Sequence, residues 1–258
     1  MIFGDYYWSY LFIKKIQSNH NFEIILIVTS EKKEKTFVKL KEKNIEEKIE
    51  LYESNNFEKI YKKLIKLKYD YILSVAYSRI FKGIILEKNY KKILNIHPSY
   101  LPERGGPDPV RNGIIEEDKY FGITLHLVNE KVDCGMIVSR YKFKNNQRDD
   151  TELILKKLAQ KFFKSIFLDI VNLKKNNLKN IRQNKLISFA PRITEEQLLI
   201  RRTDTIDIIK KKIRATLPYK NLKIVLDGKK LIIKKIIFQK KKHFTKFTLT
   251  EGHFYFYK

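Results

Sequence analysis

Apolar residues follow two different periodicities along the first two thirds of the chain. Short β-branched runs predict buried strands, at Glu23–Ser30, Ile49–Tyr52, Tyr69–Ala76, Lys91–Ile96 and Ile123–Asn129. Apolar residues at helical spacing on charged backgrounds predict helices over Glu34–Lys43, Phe57–Leu67 and Thr151–Leu173. Strands that alternate with helices are typical of an α/β domain with a mostly parallel sheet. We therefore expect such a domain over residues 1–173.

The pattern changes after the long helix. Residues 174–190 are rich in Asn, Lys and Gln, which predicts a linker. Beyond it the sequence predicts a helix at Asp204–Ala215, an Asp227–Gly228 hairpin turn, and strands at Lys223–Leu226, Lys230–Phe238 and Lys246–Thr250. We expect residues 191–258 to form a small C-terminal α+β or β-rich domain.

The first apolar stretch is unusually short. A doubly wound sheet usually begins with a full central strand and a glycine turn, whereas only Met1–Phe3 precede Gly4. Either the first strand is shortened, or the sequence begins inside the natural gene.

Composition favours a folded protein of the cytoplasm. Hydrophobic residues make up 43% of the chain, and Cys134 is the only cysteine, so no internal disulfide can form. The N-terminus lacks the pattern of a signal peptide, and no run approaches the ~20 apolar residues of a membrane span. We expect a cytoplasmic protein without a membrane partner.

The formal net charge of +25 has two interpretations. Such a charge suits a polyanionic partner, for example a nucleic acid or a nucleotide. It also fits compositional drift, because lysine is abundant along the whole chain and not confined to one segment.

The side chains that could take part in catalysis follow two predicted strands. Asn95 and His97 come at the end of the strand Lys91–Ile96, and residues two apart on an extended segment point the same way. Asp133 lies in the loop after the next strand. Ligands of open α/β sheets bind at the carboxyl ends of the strands, so we expect an amide, an imidazole and a carboxylate to face one cleft.

These motifs resemble a known family. Asn95-Ile-His-Pro-Ser-Tyr-Leu-Pro, followed by Val132-Asp-Cys-Gly, is similar to the formyltransferases that use 10-formyltetrahydrofolate. That family includes the glycinamide ribonucleotide, methionyl-tRNA and sugar-nucleotide N-formyltransferases. Ser74–Phe81 and Gly122–Thr124 extend the resemblance, which covers residues 23–145 well. It implies a Rossmann-like, mostly parallel sheet with a small C-terminal β-rich appendage.

The resemblance implies roles for particular residues. Asn95, His97 and Asp133 match the family's three catalytic positions. A formyl carbon that is attacked by an amine develops a negative oxygen, and one oriented donor such as Asn95 is worth about 3 kcal/mol of barrier. His97, when protonated, can donate to the same oxygen, and Asp133 can hold His97 and relay protons.

The resemblance also implies the ligands. The formyl donor would be 10-formyltetrahydrofolate, in contact with Arg79, Ile80, Phe81, Val132 and Gly135. Acceptor contacts are expected from Ser99, Tyr100, Arg104 and Gly106. His126 either supports the site or is a structural histidine. The histidines show no metal-ligand spacing with Cys134, so we predict no metal.

The sequence leaves more than one candidate for the amine that accepts the formyl group. Tyr77-Ser78-Arg79 resembles sugar N-formyltransferases, and the appendage is short for a transfer-RNA-binding barrel. A nucleotide-linked 4-amino sugar is therefore the favoured acceptor, and initiator methionyl-tRNA is the alternative. A second alternative is an inactive, formyltransferase-like binding protein. A homodimer is compatible with every alternative.

Overall fold

A computed structural model describes residues 1–30, 49–177, 181–183, 185–216, 222–226, 229–233, 235–239, 245–249 and 252–257. The predicted helix Glu34–Lys43 and the predicted turn Asp227–Gly228 lie outside these residues. The chain divides into two compact units, the first formed by residues 1–106, 122–143 and 155–189, and the second by residues 107–121, 144–154 and 190–258.

A seven-stranded sheet forms the centre of the first unit. Its order is β3-β2-β1-β4-β5-β6-β7, and the strands are β1 (Ile2–Phe3), β2 (Leu26–Thr29), β3 (Glu50–Glu53), β4 (Ile72–Val75), β5 (Ile93–His97), β6 (Tyr120–Leu127) and β7 (Ile137–Lys144). Strands β1 to β5 pair in parallel, and β6 pairs antiparallel with β5. The predicted mostly parallel sheet is confirmed. The chain order reverses at β1, which makes the carboxyl edge beside it a topological switch point.

Helices cover both faces of this sheet. They are α1 (Tyr7–Gln17), α2 (Phe57–Leu64), α3 (Ile84–Glu87) and α5 (Thr151–Lys174). On one face, Phe3 packs in a buried cluster with Ile60 of α2 and Ile85 of α3. On the other face, Ile2 lines a cavity together with side chains of α1 and α5. Alternation along the strand sends the neighbouring residues Ile2 and Phe3 to opposite faces.

The second unit contains helices α4 (Pro109–Ile115) and α6 (Ile206–Thr216) and two small sheets. Their orders are β10-β9-β8 and β11-β13-β12, with strands β8 (Leu199–Ile200), β9 (Leu222–Leu226), β10 (Lys229–Ile233), β11 (Lys235–Ile237), β12 (Thr245–Leu249) and β13 (Gly252–Tyr257). The predicted strand Lys230–Phe238 is therefore two strands in different sheets. The predicted small β-rich C-terminal part is confirmed.

The compact units combine other segments than the predicted domains, and the domain limits of 1–173, 174–190 and 191–258 stay a prediction. The second unit includes residues 107–121 and 144–154, because Asp108 and Thr151 form hydrogen bonds with the carbonyls of Ala190 and Ala215. In the described part of the chain, no helix is both long and apolar enough to cross a membrane.

Candidate active site

Strand β5 presents the two polar side chains that the sequence singled out. His97 is buried at its end, and Asn95 precedes it by two residues on the same face. In the antiparallel register, Thr124 and His126 of β6 lie opposite them. The amide Nδ2 of Asn95 is 3.0 Å from Nε2 of His126. Both strands therefore contribute polar groups to one face at this edge of the sheet.

Asp133 approaches this group from the loop between β6 and β7. Its Oδ1 lies 3.8 Å from Nδ1 of His97 and 3.6 Å from Nε2 of His126. Its Oδ2 accepts a hydrogen bond of 2.8 Å from the backbone N–H of Gly106. The structure thus brings Asn95, His97 and Asp133 together, although they are separated by up to 38 positions in the sequence.

Two backbone carbonyls determine which ring nitrogens carry hydrogen. Nε2 of His97 is 3.1 Å from the carbonyl oxygen of Arg104, and Nδ1 of His126 is 2.9 Å from that of Leu127. A carbonyl can only accept, so each of these nitrogens donates. In the neutral rings, Nδ1 of His97 is an acceptor that faces Asp133, and Nε2 of His126 accepts from the Asn95 amide. That amide has a second N–H with which to donate to a ligand.

Burial sets the charge states of the pair. Desolvation lowers the pKa of the His97 imidazole, although Asp133 and the carbonyl of Arg104 act in the opposite direction. Burial also acts to raise the pKa of Asp133, but His97, His126 and the Gly106 amide together hold that pKa well below its usual range. Near neutral pH the site therefore contains a carboxylate beside a neutral imidazole that can accept a proton.

The two residues that contact the His97 ring have unfavourable backbone conformations. Asp133 has a φ of 54° and Arg104 a φ of 57°, both in the left-handed region. This region is disfavoured for residues with a side chain, and such conformations concentrate at functional sites. The contacts around His97 are therefore maintained by the surrounding structure and not by local preference.

A comparison with protein families decides the relationship. A family model described as "Formyl transferase" matches residues 1–170 of the 258 residues. The chain belongs to the formyl transferase family. The matched residues include β5, β6 and the Asp133 loop, so the three converging side chains lie within the family's own domain. The resemblance noted in the sequence is confirmed.

Methionyl-tRNA formyltransferases are among the curated relatives of this formyl transferase family member. The methionyl-tRNA formyltransferase of Finegoldia magna is 31% identical over 156 residues, which is 58% of this chain and 49% of that protein. The chain thus spans about half the length of the curated relatives it matches.

Two solved structures match over most of their length. A 4-N formyltransferase from Francisella tularensis has a TM-score of 0.70 at 21% identity, over 90% of this chain and 94% of that chain. WlaRD, a sugar 3N-formyl transferase crystallised with dTDP and 5-N-formyl-THF, has a TM-score of 0.65 at 21% identity, over 99% and 95%. These likenesses confirm the predicted formyltransferase fold.

Three of the residues expected to contact the formyl donor are accessible or unpaired in this family member. Ile80 is 61% exposed and Val132 is 44% exposed. The Nε atom of Arg79 is buried and has no hydrogen-bond partner among the described residues. Exposed apolar groups and an unpaired N–H donor suit a planar heterocycle that can accept hydrogen bonds, and the contact of these residues with the formyl donor stays a prediction.

The other two residues that are expected to contact the formyl donor have structural roles that the sequence did not suggest. Phe81 is buried in the core and stacks on Phe57 with ring centroids 5.8 Å apart. A Cβ atom at Gly135 would lie 1.6 Å from the carbonyl oxygen of Leu127, so only glycine allows the loop to approach β6 so closely. Whether these residues also contact the donor stays a prediction.

The residues expected to contact the acceptor shape the loop after β5. The hydroxyl of Ser99 donates to the carbonyl of Glu103 at 2.8 Å. The ring of Tyr100 has the cations of Arg140 and Lys142 at 4.3 and 4.6 Å from its centroid. Arg104 and Gly106 contact the site through their backbone, as the bonds to His97 and Asp133 show. Their contact with an acceptor stays a prediction.

Sequence reasoning missed one residue of this site. Gln183 donates from Nε2 to the backbone carbonyls of Asp133 and Gly135, although it lies 50 positions after Asp133 in the sequence. Its neighbours are lysine- and asparagine-rich, and its partners are backbone atoms, so no side-chain motif indicated it. Among the described residues, no cluster of His, Cys, Asp or Glu is arranged to hold a metal ion.

Proposed function

We propose that the protein is an N-formyltransferase that transfers a formyl group from 10-formyltetrahydrofolate to a primary amine. The observation that supports this is the convergence of the Asn95 amide, the His97 imidazole and the Asp133 carboxylate at the carboxyl edge of β5. Acyl transfer to an amine needs a hydrogen-bond donor to the developing oxyanion, a base that takes the proton, and a group that stabilises the protonated base. The three side chains match these needs.

The neighbouring loops suit the proposed donor. Tyr77 and Arg79 each have a buried polar atom, Oη and Nε, that lacks a partner within the described residues. Buried polar atoms of this kind are costly unless a ligand or water satisfies them. Ile80 and Val132 offer apolar surface for a pterin ring. When bound, the donor supplies a formyl carbon that exchanges its bond to the folate nitrogen for a bond to the acceptor amine.

Each side chain then has a defined task. The second N–H of Asn95 donates to the negative charge that develops on the formyl oxygen. The neutral Nδ1 of His97 accepts a proton from the attacking amine, and the resulting imidazolium is stabilised by the carboxylate of Asp133. His97 returns the proton to the departing folate nitrogen. His126 holds the Asn95 amide in the orientation that places its N–H groups correctly.

The favoured acceptor is a nucleotide-linked amino sugar. The structural match extends over 94% and 95% of the 4-N and the sugar 3N-formyltransferase. The sequence alignment with the methionyl-tRNA enzyme covers 49% of that protein.

Methionyl-tRNA is the second candidate acceptor. The 31% identity to a methionyl-tRNA formyltransferase and the formal net charge of +25 support it. A transfer-RNA acceptor would make binding strongly dependent on salt, because several phosphate contacts release counterions.

The test is a two-acceptor assay. Purified protein is mixed with 10-formyltetrahydrofolate and either a dTDP-linked 4-amino sugar or initiator methionyl-tRNA, and release of tetrahydrofolate is followed by absorbance. We expect turnover with the sugar nucleotide, and a loss of kcat of at least about 100-fold in His97→Ala. His20→Ala, which removes an exposed imidazole, is the matched control and should retain activity.

Other outcomes select other functions. Turnover with methionyl-tRNA alone would replace the sugar acceptor by the second candidate. Absence of turnover with both acceptors, while 10-formyltetrahydrofolate still binds, would favour the inactive binding protein and overturn the proposed activity.

A further inference from the structure

The segment that follows α5 contacts both loops around His97. This connecting segment, residues 181–183 and 185–189, belongs to the first compact unit. Ile181 forms two backbone hydrogen bonds with Ile137 of β7, at 2.9 and 2.8 Å. Ile187 donates to the carbonyl of Pro102 at 2.8 Å. The segment is therefore fixed to the structure at both of its ends.

The connecting segment holds the loop that contributes the Arg104 carbonyl. The backbone N–H of Arg104 donates to the hydroxyl of Ser188 at 2.9 Å, and that of Gly105 donates to its carbonyl at 3.1 Å. A Cβ atom at Gly105 would lie 2.4 Å from the side chain of Leu186, so the Gly105 backbone packs closely against that side chain. These contacts maintain the left-handed conformation of Arg104, whose carbonyl accepts from His97.

The same segment holds the Asp133 loop through one side chain. Nε2 of Gln183 donates to the carbonyls of Asp133 and Gly135, at 2.9 and 2.5 Å. Both hydrogens of the carboxamide are used by one loop, which fixes the orientation of the amide. Its Oε1 is buried without a hydrogen-bond partner in the described residues. The two hydrogen bonds therefore fix the orientation of the Gln183 side chain and, at the same time, hold the Asp133 loop in place.

We propose that Gln183 is a positioning residue: by fixing the Asp133 backbone in its left-handed conformation, it directs the carboxylate toward the imidazoles of His97 and His126. The expected effect of Gln183 on the reaction rate rests on the proposed formyl transfer, whereas its effect on the position of Asp133 does not. The distances of 3.8 and 3.6 Å from the carboxylate to the two rings are the property that Gln183 maintains. A shift of about 1 Å in a reacting group can lower a rate on the order of 100-fold.

The first measurement is kinetic and uses the full chain. Gln183→Met keeps the length of the side chain but removes both donors. We expect kcat to fall on the order of 100-fold, with the KM for 10-formyltetrahydrofolate unchanged. Gln197→Met is the matched control, because it removes a side-chain hydrogen bond with the Thr194 backbone in the second unit. It should retain the wild-type kcat.

The second measurement does not depend on activity. The titration of the His97 ring is followed by NMR in the wild type, in Gln183→Met and in Asp133→Asn. Asp133 raises the pKa of His97, whereas burial and the nearby His126 lower it. A displaced carboxylate in Gln183→Met should therefore shift the pKa of His97 downward, in the same direction as its removal in Asp133→Asn.

The outcomes separate the two proposals. A lower kcat together with a downward shift of the His97 pKa supports the positioning role. An unchanged His97 pKa in folded Gln183→Met overturns it, even if the variant is less stable, and so does a change confined to KM. If the wild type transfers no formyl group to either acceptor, the proposed function fails while the NMR comparison still tests Gln183.

Discussion

Asp5 and Asp133 are carboxylates of the first compact unit that are largely shielded from solvent, and they have opposite surroundings. Asp5, after β1, accepts from the backbone N–H groups of Ser30 and Ser78 at 2.7 and 2.6 Å and from the hydroxyl of Thr29 at 3.1 Å. Asp133 accepts one backbone N–H, and its other oxygen faces two imidazoles from beyond hydrogen-bond distance. Both oxygens of Asp5 are hydrogen-bonded, which favours a structural role, whereas the oxygen that faces two titratable rings supports the proposed catalytic role of Asp133.

Removing the charge of Asp133 should produce the largest effect. Asp133→Asn keeps the size of the side chain but cannot stabilise an imidazolium at His97, so we expect kcat to fall on the order of 1000-fold. Steady-state kinetics with the accepted amine measures this loss. A variant that keeps nearly wild-type kcat would remove the distinction between the two carboxylates.

Asp5→Ala should instead affect stability. It leaves the amides of Ser30 and Ser78 without their acceptor, and unsatisfied buried donors cost about 1–3 kcal/mol each. We expect the free energy of unfolding to fall by about 2–4 kcal/mol, with kcat per folded molecule changed only slightly.

Chemical denaturation measures the effect of Asp5→Ala. Asp70→Ala is its control, because the exposed Asp70–Lys174 pair should contribute at most about 1 kcal/mol. Equal losses of stability in the two variants would argue against a structural role for Asp5.

A substitution of His126 sharpens the comparison, because it tests the orientation of the Asn95 amide without removing the charge of Asp133. His126→Phe keeps a flat ring but removes the acceptor that orients the Asn95 amide. We expect kcat to fall by about 10-fold, which is less than for Asp133→Asn. His253→Phe, at an exposed site on β13, should leave kcat unchanged. An equal loss in both histidine variants would point to a general effect of the substitution.

Acidification should reveal the smallest effect. Burial lowers the folded-state pKa of His97 from its ordinary value of 6.5. Below that value the unfolded chain binds a proton that the folded chain resists, so stability is lost as the pH falls. Between about pH 7.5 and about pH 5.5, the wild type should therefore lose more stability than His97→Gln. Equal losses in denaturation experiments would show that His97 titrates normally.

Strong periodicity made several elements predictable from the sequence. The helix Thr151–Leu173 was expected and extends to Lys174, and the β-branched run Glu23–Ser30 contains β2. Strand β7 and helix α1 were missed. Cations alternate with aromatic residues at the end of β7, a pattern of period 2 that could have indicated an edge strand. Helix α1 is rich in aromatic residues, and its Phe12 packs against Phe163 of α5, a tertiary contact that local patterns do not report.

The candidate site was predictable where side chains form a motif. Asn95, His97 and Asp133 were found from a family resemblance, and the structure places them together. Gln183 could not be found in this way, because it acts on backbone carbonyls from a segment with the composition of a linker. Residues that act through the main chain leave little trace in the sequence.

Because β1 is short, the hydrogen bonds of Asp5 help to hold the two neighbouring strands together. This central strand pairs through only two residues on each side, with β2 and with β4. One oxygen of the Asp5 carboxylate accepts from the amide that follows β2, and the other from an amide just beyond β4. The side chain thus extends the hydrogen bonding of β1 beyond the bonds that the backbone N–H groups of Gly4 and Asp5 donate to Val28 and Ala76. One acidic residue therefore links the two halves of the sheet.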